Sequence, residues 1–244
     1  LSESVTVYIS SGPRFGDDTH CKAALISLIQ SLAKLLPSSR QVVIFDGPHP
    51  KLAAATGGSA GIVNVRPDGT VTNRSVSNRV KEQNATTLLQ HYAEKISAVK
   101  RLRASYPRLH TVVHREWMHQ GNALRESMRA CTTPIVFSVQ DDIALTDVQT
   151  IHAHVIVKRL LSTVRYVRLY WGNVVKSSAS PQEPSMSSSR ALSPCGSGQT
   201  GPHFAHIRTY RERVWPLYTK ETRMVPESVV NTQRVDASWG LWMY

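Results

Sequence analysis

Asp141 and Asp142 stand side by side at the end of the apolar run Ile135-Val136-Phe137-Ser138-Val139, in the stretch FSVQDDIAL. The run reads as a buried strand, so the two carboxylates stand where it should surface. Neighbouring like charges repel, and charge beside a core is costly unless something positive arrives. A solvated turn is the plain explanation. The chemical one is a divalent-metal site. A hard cation takes oxygen ligands, often only one or two carboxylates, with substrate phosphates completing the shell. An ion held there would neutralise a diphosphate leaving group and keep it in place.

Two further apolar runs end in polar groups. Val5-Thr6-Val7-Tyr8-Ile9 leads into Ser10, Ser11 and, past Gly12-Pro13, Arg14. Gln41-Val42-Val43-Ile44-Phe45 leads into Asp46-Gly47-Pro48, a turn signal. In open α/β sheets, ligands bind beyond the carboxyl ends of the strands. If these three strands are parallel neighbours, Ser10, Ser11, Arg14, Asp46, Asp141 and Asp142 converge on one rim.

The elements needed for that arrangement can be read from periodicity. After a cap at Asp18 or Thr19, the residues Leu25, Leu28, Ile29, Leu32, Leu35 and Leu36 make one apolar helix face, which Pro37 closes. The opening order strand, helix, strand favours a crossover connection and a parallel sheet. Residues 55–80 are rich in Gly, Asn, Thr and Ser and read as an irregular excursion. From Asn84 to Tyr106 helical spacing returns through Leu89, Tyr92, Ile96, Val99 and Leu102. Lys95, Lys100, Arg101 and Arg103 read as its solvated face. His110–Val113 forms a short strand, and a helix is expected from about Asn122 to Ala130. Thr146-Asp147-Val148-Gln149 fits a capping box ahead of a helix through Ile151, Val155, Ile156 and Leu160. Val164–Trp171 reads as another strand. Residues 176–202 are Ser-, Pro- and Gly-rich and are expected to form a mobile loop. An aromatic and basic stretch follows from His203 to Tyr218, then a short helix near Glu227.

With 244 residues and 41% hydrophobic content the chain can bury a proper core, which excludes intrinsic disorder. Lys and Arg number 29 against 17 acids, a formal net charge of +12 that favours anionic partners such as phosphates, nucleic acid or a membrane surface. Cys21, Cys131 and Cys195 have no metal-binding spacing, which argues against structural zinc and leaves room for one disulfide in an oxidising compartment. No apolar run is long enough to span a membrane, and no secretory leader is evident. The chain starts at Leu1 and stops at Tyr244, directly after an aromatic-rich stretch, and reads as an excised domain. Any membrane anchor would then lie outside it. Asn73-Arg74-Ser75 and Asn84-Ala85-Thr86 match the N-glycosylation acceptor pattern. They point toward the Golgi or another secretory lumen, with the cytoplasm as the alternative.

Taken in order, VTVYISSGPR, VVIFDGPHP, VFSVQDDIAL, HFAHIRTYRERVWP and the stretch after Glu227 resemble the GT-A fold glycosyltransferases, near the family-2 type of nucleotide-sugar transferases. The resemblance covers most of the chain. It implies an α/β fold with a mixed, mostly parallel sheet sandwiched by helices. It also implies a single catalytic domain over 1–244, with residues 1–145 holding the nucleotide sugar. Residues 146–244 would form the acceptor side, and the 176–202 loop would order over the donor as a lid. The implied activity is metal-assisted transfer of a hexose-type sugar from a nucleotide-diphosphate donor to a glycan or protein hydroxyl, with inversion.

Carried over position by position, the resemblance places Ser10, Ser11 and Arg14 at the nucleotide loop and Asp46 at the base or ribose. Asp142 takes the final, metal-binding Asp of an Asp-x-Asp-like motif, with Mn²⁺ or Mg²⁺ as the ion. Gln140 stands where a strict motif has its first Asp, a departure that leaves metal dependence open, and Asp141 is then free to meet sugar or ribose. Gly121-Asn122-Ala123-Leu124 resembles the family's helix start facing the donor, and Asn122 is its candidate contact. Such a terminus suits a diphosphate, because its N–H groups and dipole favour anions. An inverting transferase needs a base for the acceptor hydroxyl. Glu227, in Val225-Pro226-Glu227-Ser228, is the first candidate and Asp236 the second. His203 is a candidate third metal ligand. Arg208 and Arg211 are candidates for neutralising the leaving phosphate, and Trp215, Trp239 and Trp242 for stacking on sugar rings.

Two other function classes use the same features. A nucleotidyltransferase or phosphohydrolase would employ the same paired carboxylates, but the loop after the first strand has only Gly12, Gly16 and one Arg. A basic binding module, or a degenerate transferase retained as a scaffold, would leave the carboxylates without chemistry. The basic residues are dispersed with no nucleic-acid motif among them, so nucleic acid is not an expected partner.

Overall fold

The computed structural model describes residues 2–12, 18–48, 63–65, 71–73, 85–141, 143, 145, 152–162, 164–169, 193–194, 202–218 and 241–243. Among these, β1 (Val5–Ser11), α1 (Asp18–Leu35) and β2 (Arg40–Phe45) open the chain. A short antiparallel pair, β3 (Val63–Val65) and β4 (Val71–Asn73), stands apart from the main sheet. Then come α2 (Ala85–Leu102), β5 (Leu109–Val113), α3 (Gln120–Met128), β6 (Ile135–Gln140), α4 (Ala153–Ser162) and β7 (Tyr166–Arg168). The last elements are β8 (Ser193–Pro194), β9 (His203–His206), a run of helical turns from Ile207 to Leu217, and β10 (Leu241–Met243).

The described strands form a sheet in the order β5-β2-β1-β6-β9-β7-β10-β8. β5, β2, β1 and β6 are mutually parallel. β9 enters antiparallel between β6 and β7, β10 runs parallel to β7, and β8 closes that edge antiparallel. The sheet is mixed and mostly parallel, as expected.

Strand alternation sends successive side chains to opposite faces, and each face is covered by helices. Val5, Val7 and Ile9 of β1 pack with Leu25, Leu28, Ile29 and Leu32 of α1, Tyr92 and Val99 of α2, and Ile156 and Val157 of α4. Tyr8 faces the other way, with Val42, Ile44 and Val136, onto Ala123, Leu124 and Met128 of α3 and Tyr210 and Val214 of the late helical turns. Phe137 and Phe204 stack across β6 and β9 with ring centroids 4.1 Å apart, so the antiparallel strand is tied in through the core. No helix among the described residues is long and apolar enough to cross a membrane.

Three expectations change. The 55–80 excursion contains the β3–β4 pair. The stretch beginning at His203, read only as aromatic and basic, opens with a strand buried at His203, Phe204 and Ala205. Lys95, read as solvated, is 1% exposed.

Candidate functional site

The carboxyl ends of β2, β1 and β6 are adjacent, so Asp46, Ser10-Ser11 and Asp141 meet on one rim. The backbone ladder continues into the carboxylates themselves. Asp46 N–H donates to the Ser11 carbonyl at 3.0 Å, and Asp141 N–H donates to the Ser10 carbonyl at 3.1 Å. Both acids therefore hold positions fixed by the sheet. Alternation then sends Ser11 and Asp141 to the α2 face, and Ser10 to the α3 face.

On the α2 face the Ser11 hydroxyl donates to Asp141 Oδ2 at 2.6 Å. The Lys95 ammonium donates to the same oxygen at 3.2 Å and to the Gly12 carbonyl at 3.3 Å. Lys95 and Asp141 are 1% and 2% exposed, a buried ion pair. The Tyr92 hydroxyl, one turn earlier on α2, donates to the Asp46 carbonyl at 2.7 Å. Its ring lies 5.2 Å from the ammonium. α2 thus ties together the ends of β1, β2 and β6.

On the α3 face Gln120 Nε2 donates to Ser10 Oγ at 2.7 Å, joining the first turn of α3 to β1. Asp46 Oδ1 accepts the Gly47 and Met118 N–H groups, both at 2.8 Å. Burial pushes the Asp46 carboxyl above its ordinary range, and those two N–H bonds work against the rise. The chain before α3 passes so close to β2 that a Cβ on Gly47 would lie 2.1 Å from the Glu116 carbonyl carbon. Only glycine fits there. His119, the residue before α3, has φ 67° and supplies no side-chain cap. A positive φ at a non-glycine residue stores backbone strain that the surrounding contacts must hold. The Asp46–Met118 bond on one side and the Gln120–Ser10 bond on the other bracket that strained position.

Of the candidate site residues, Ser10, Ser11, Asp46 and Asp141 come together at this rim. Gln140 is half-buried at the end of β6, paired in register with Ser10. Asn122 is half-buried in the first turn of α3, between buried Gly121 and Ala123. His203 lies across from Ser138, three positions before Asp141 along β6. Its ring is fully buried, stacked on Tyr166 at 4.7 Å, and its Nε2 meets the Tyr210 hydroxyl. Arg211 donates to the Cys131 carbonyl at 2.7 Å, before β6 begins, and Arg208 is exposed just after β9 ends. Both stand at the opposite end of the sheet from the rim, which removes them as partners for a phosphate there. Trp215 packs against Tyr210 and Tyr218. Arg14, Asp142, Glu227, Asp236 and Trp239 lie outside the described residues, as does the side chain of Trp242.

Among the described residues no group of three or more His, Cys, Asp or Glu side chains could hold a metal ion. Asp141 Oδ2 already serves Lys95 and Ser11. Sequence periodicity did contain a clue to Lys95. It follows Tyr92 by three residues and precedes Val99 by four, so it shares their inward face. The roles of Gln120, Gly47 and the Met118 N–H depend on a long-range approach that no local pattern encodes.

No protein-family model matches this chain, and no curated protein matches it. Among solved structures it is similar to residues 1–349 of S. aureus TarS, a GT-A glycosyltransferase, with TM-score 0.50 and 9% identity over 98% of this chain and 57% of that one. A second TarS structure is similar with TM-score 0.49 and 9% identity, covering 98% of this chain and 35% of its own length. The chain therefore spans little more than half of the shorter of these two. At this identity the likeness is one of fold, and the fold is GT-A-like.

Proposed function

We propose that this chain is a glycosyltransferase that moves a sugar from a nucleotide-diphosphate donor to a hydroxyl of a glycan or glycoprotein, with inversion. One observation carries the reading. The ends of three adjacent parallel strands, the first turn of α3 and the segment just before it form a hydrogen-bonded rim, Ser10–Gln120, Ser11–Asp141 and Asp46–Met118, where an α/β sheet binds ligands. The GT-A-like fold supports the same position for the donor.

In this proposal the rim residues orient the nucleotide, with Asp46 toward base or ribose and the first turn of α3, including Asn122, toward the diphosphate. Asp142 would hold Mn²⁺ or Mg²⁺, whose contribution is to neutralise charge on the departing diphosphate. Glu227 takes the acceptor proton as the hydroxyl oxygen bonds to the anomeric carbon, and Asp236 is the second candidate for that task. A Golgi or other secretory lumen suits a glycan acceptor.

The test is release of nucleoside diphosphate from a panel of nucleotide sugars with glycan acceptors. Asp142→Asn is expected to reduce turnover at least 100-fold, about the contribution of one strong electrostatic group, with the fold intact. Glu227→Gln should bind donor normally and lose transfer to a similar extent. Wild-type turnover in Asp142→Asn would contradict the metal assignment. Transfer surviving in Glu227→Gln would move the base to Asp236.

A further inference from the structure

We propose that the Lys95 ammonium is the resident cation of the donor rim, and that Asp141 anchors it through Oδ2, an oxygen thereby withdrawn from metal ligation. The inference rests on the nucleotide-sugar reading for its functional half only.

The ammonium occupies a seat made of oxygen. Asp141 Oδ2 lies 3.2 Å away and the Gly12 carbonyl 3.3 Å away. The Ser11 hydroxyl holds the same carboxylate oxygen at 2.6 Å. Carboxylate and carbonyl oxygens are also the ligands a hard metal ion would select. Here a side chain that is 1% exposed fills the position. Two consequences follow. Asp141 Oδ2, with two donors already on it, is a poor ligand for a second cation. And the ammonium bridges β1 to β6 at the point where β1 gives way to the segment carrying Arg14. Lys95 is thus a positioning residue. It fixes the Gly12 carbonyl and the Asp141 side chain while a donor binds, and it places a positive charge at the rim where a diphosphate would bind.

Chemical rescue tests this. Lys95→Ala removes the ammonium and most of its stem, leaving room for a small cation. The melting temperature should fall by about 10 °C, because a buried carboxylate is left unpaired. Binding of the best nucleotide diphosphate, measured by calorimetry, should weaken at least tenfold. Ethylammonium or propylammonium at tens of millimolar should restore much of both losses. Sodium chloride at equal ionic strength should not. Asp141→Asn should bind Mn²⁺, followed by electron paramagnetic resonance with the metal alone, within about twofold of wild type. In Lys95→Ala/Asp141→Asn, loss of the charge that needed pairing should recover most of the melting temperature.

If Lys95→Ala does not fold, Lys95→Met/Asp141→Asn decides the stability arm. A pair removed together should melt well above either single variant. Equal effects of alkylammonium and sodium, additive losses in the double variant, or more than tenfold weaker Mn²⁺ binding in Asp141→Asn would each overturn the proposal. A wild-type chain that binds no nucleotide while the Lys95–Asp141 coupling persists would refute the transferase reading and leave the cation seat standing. Nucleotide binding untouched by Lys95→Ala would overturn the positioning role of Lys95 and leave the transferase reading standing.

Discussion

Asp46 and Asp141 look alike along the chain, each an aspartate just past the end of a buried parallel strand. The structure treats them differently. Asp141 points to the α2 face, where a fixed ammonium and a serine hydroxyl receive it. Asp46 points to the α3 face, where two backbone N–H groups hold one oxygen. The first carboxylate is matched by charge, and the second keeps a raised proton affinity because burial outweighs its two dipolar bonds. The lesson is that a strand-end carboxylate is defined by the helix that faces it. α2 brings a cation to the rim, and α3 brings backbone and a neutral amide.

That contrast can be broken in four ways. The largest effect belongs to the charged face. Lys95→Met should cost about 3–5 kcal/mol in denaturant unfolding, the scale for stranding one member of a buried pair. A cost below about 1 kcal/mol would mean that water or another group already screens Asp141. On the α3 face the largest effect should come from Gly47→Ala. Its Cβ would overlap the Glu116 carbonyl, 2.1 Å from the carbon and 2.2 Å from the oxygen. Forcing the 116–118 segment away should cost about 1–3 kcal/mol and release the Met118 N–H, read as faster amide exchange there. Next is Gln120→Ala, which removes one neutral bond to Ser10 and should cost about 1 kcal/mol.

The smallest change in stability, and the most informative in sign, is Asp46→Asn. The amide oxygen can still accept both N–H groups. Because the folded-state pKa of Asp46 is raised, its protonated form is favoured in the fold. The stability it contributes is fully present below the unfolded-state pKa and is lost as pH rises through the folded-state value. Asp46→Asn should flatten the decline in stability over that window and match or exceed wild type at neutral pH. A variant that instead loses stability above the window would mean that the ionised carboxylate is the favoured form. Lys95→Met should not flatten that decline in the same way, and this separates the two faces.

Local pattern carried much of the architecture. The apolar spacing of Leu25, Leu28, Ile29 and Leu32 and the β-branched runs at Val5–Ile9 and Gln41–Phe45 are short-range signals of a helix and strands, and each element formed near its expected bounds. The meeting of Ser10, Ser11, Asp46 and Asp141 then followed from parallel neighbours. β9 was harder to see. Four residues, His203–His206, with histidines at both ends, look polar, and their burial comes from pairing with β6 and β7 across long stretches of chain. The charge of Lys95 suggests a solvated residue, whereas its position along α2 faces inward. Its place on the inward face of α2 is periodic, but the carboxylate that makes its burial tolerable lies 46 residues away. The same holds for Gly47, whose need for a missing side chain is set by Glu116 and Trp117.

The most direct measurement is a thermal-shift panel on the wild-type chain, with UDP, GDP, CMP and their sugar conjugates, each with Mn²⁺ or with EDTA. A ligand that binds only the folded state raises its melting temperature. A shift of several degrees with one nucleotide class, larger for the sugar conjugate and larger with Mn²⁺, is the expected result and identifies the base. A folded sample that responds to none of them, with or without metal, would contradict a donor site at this rim.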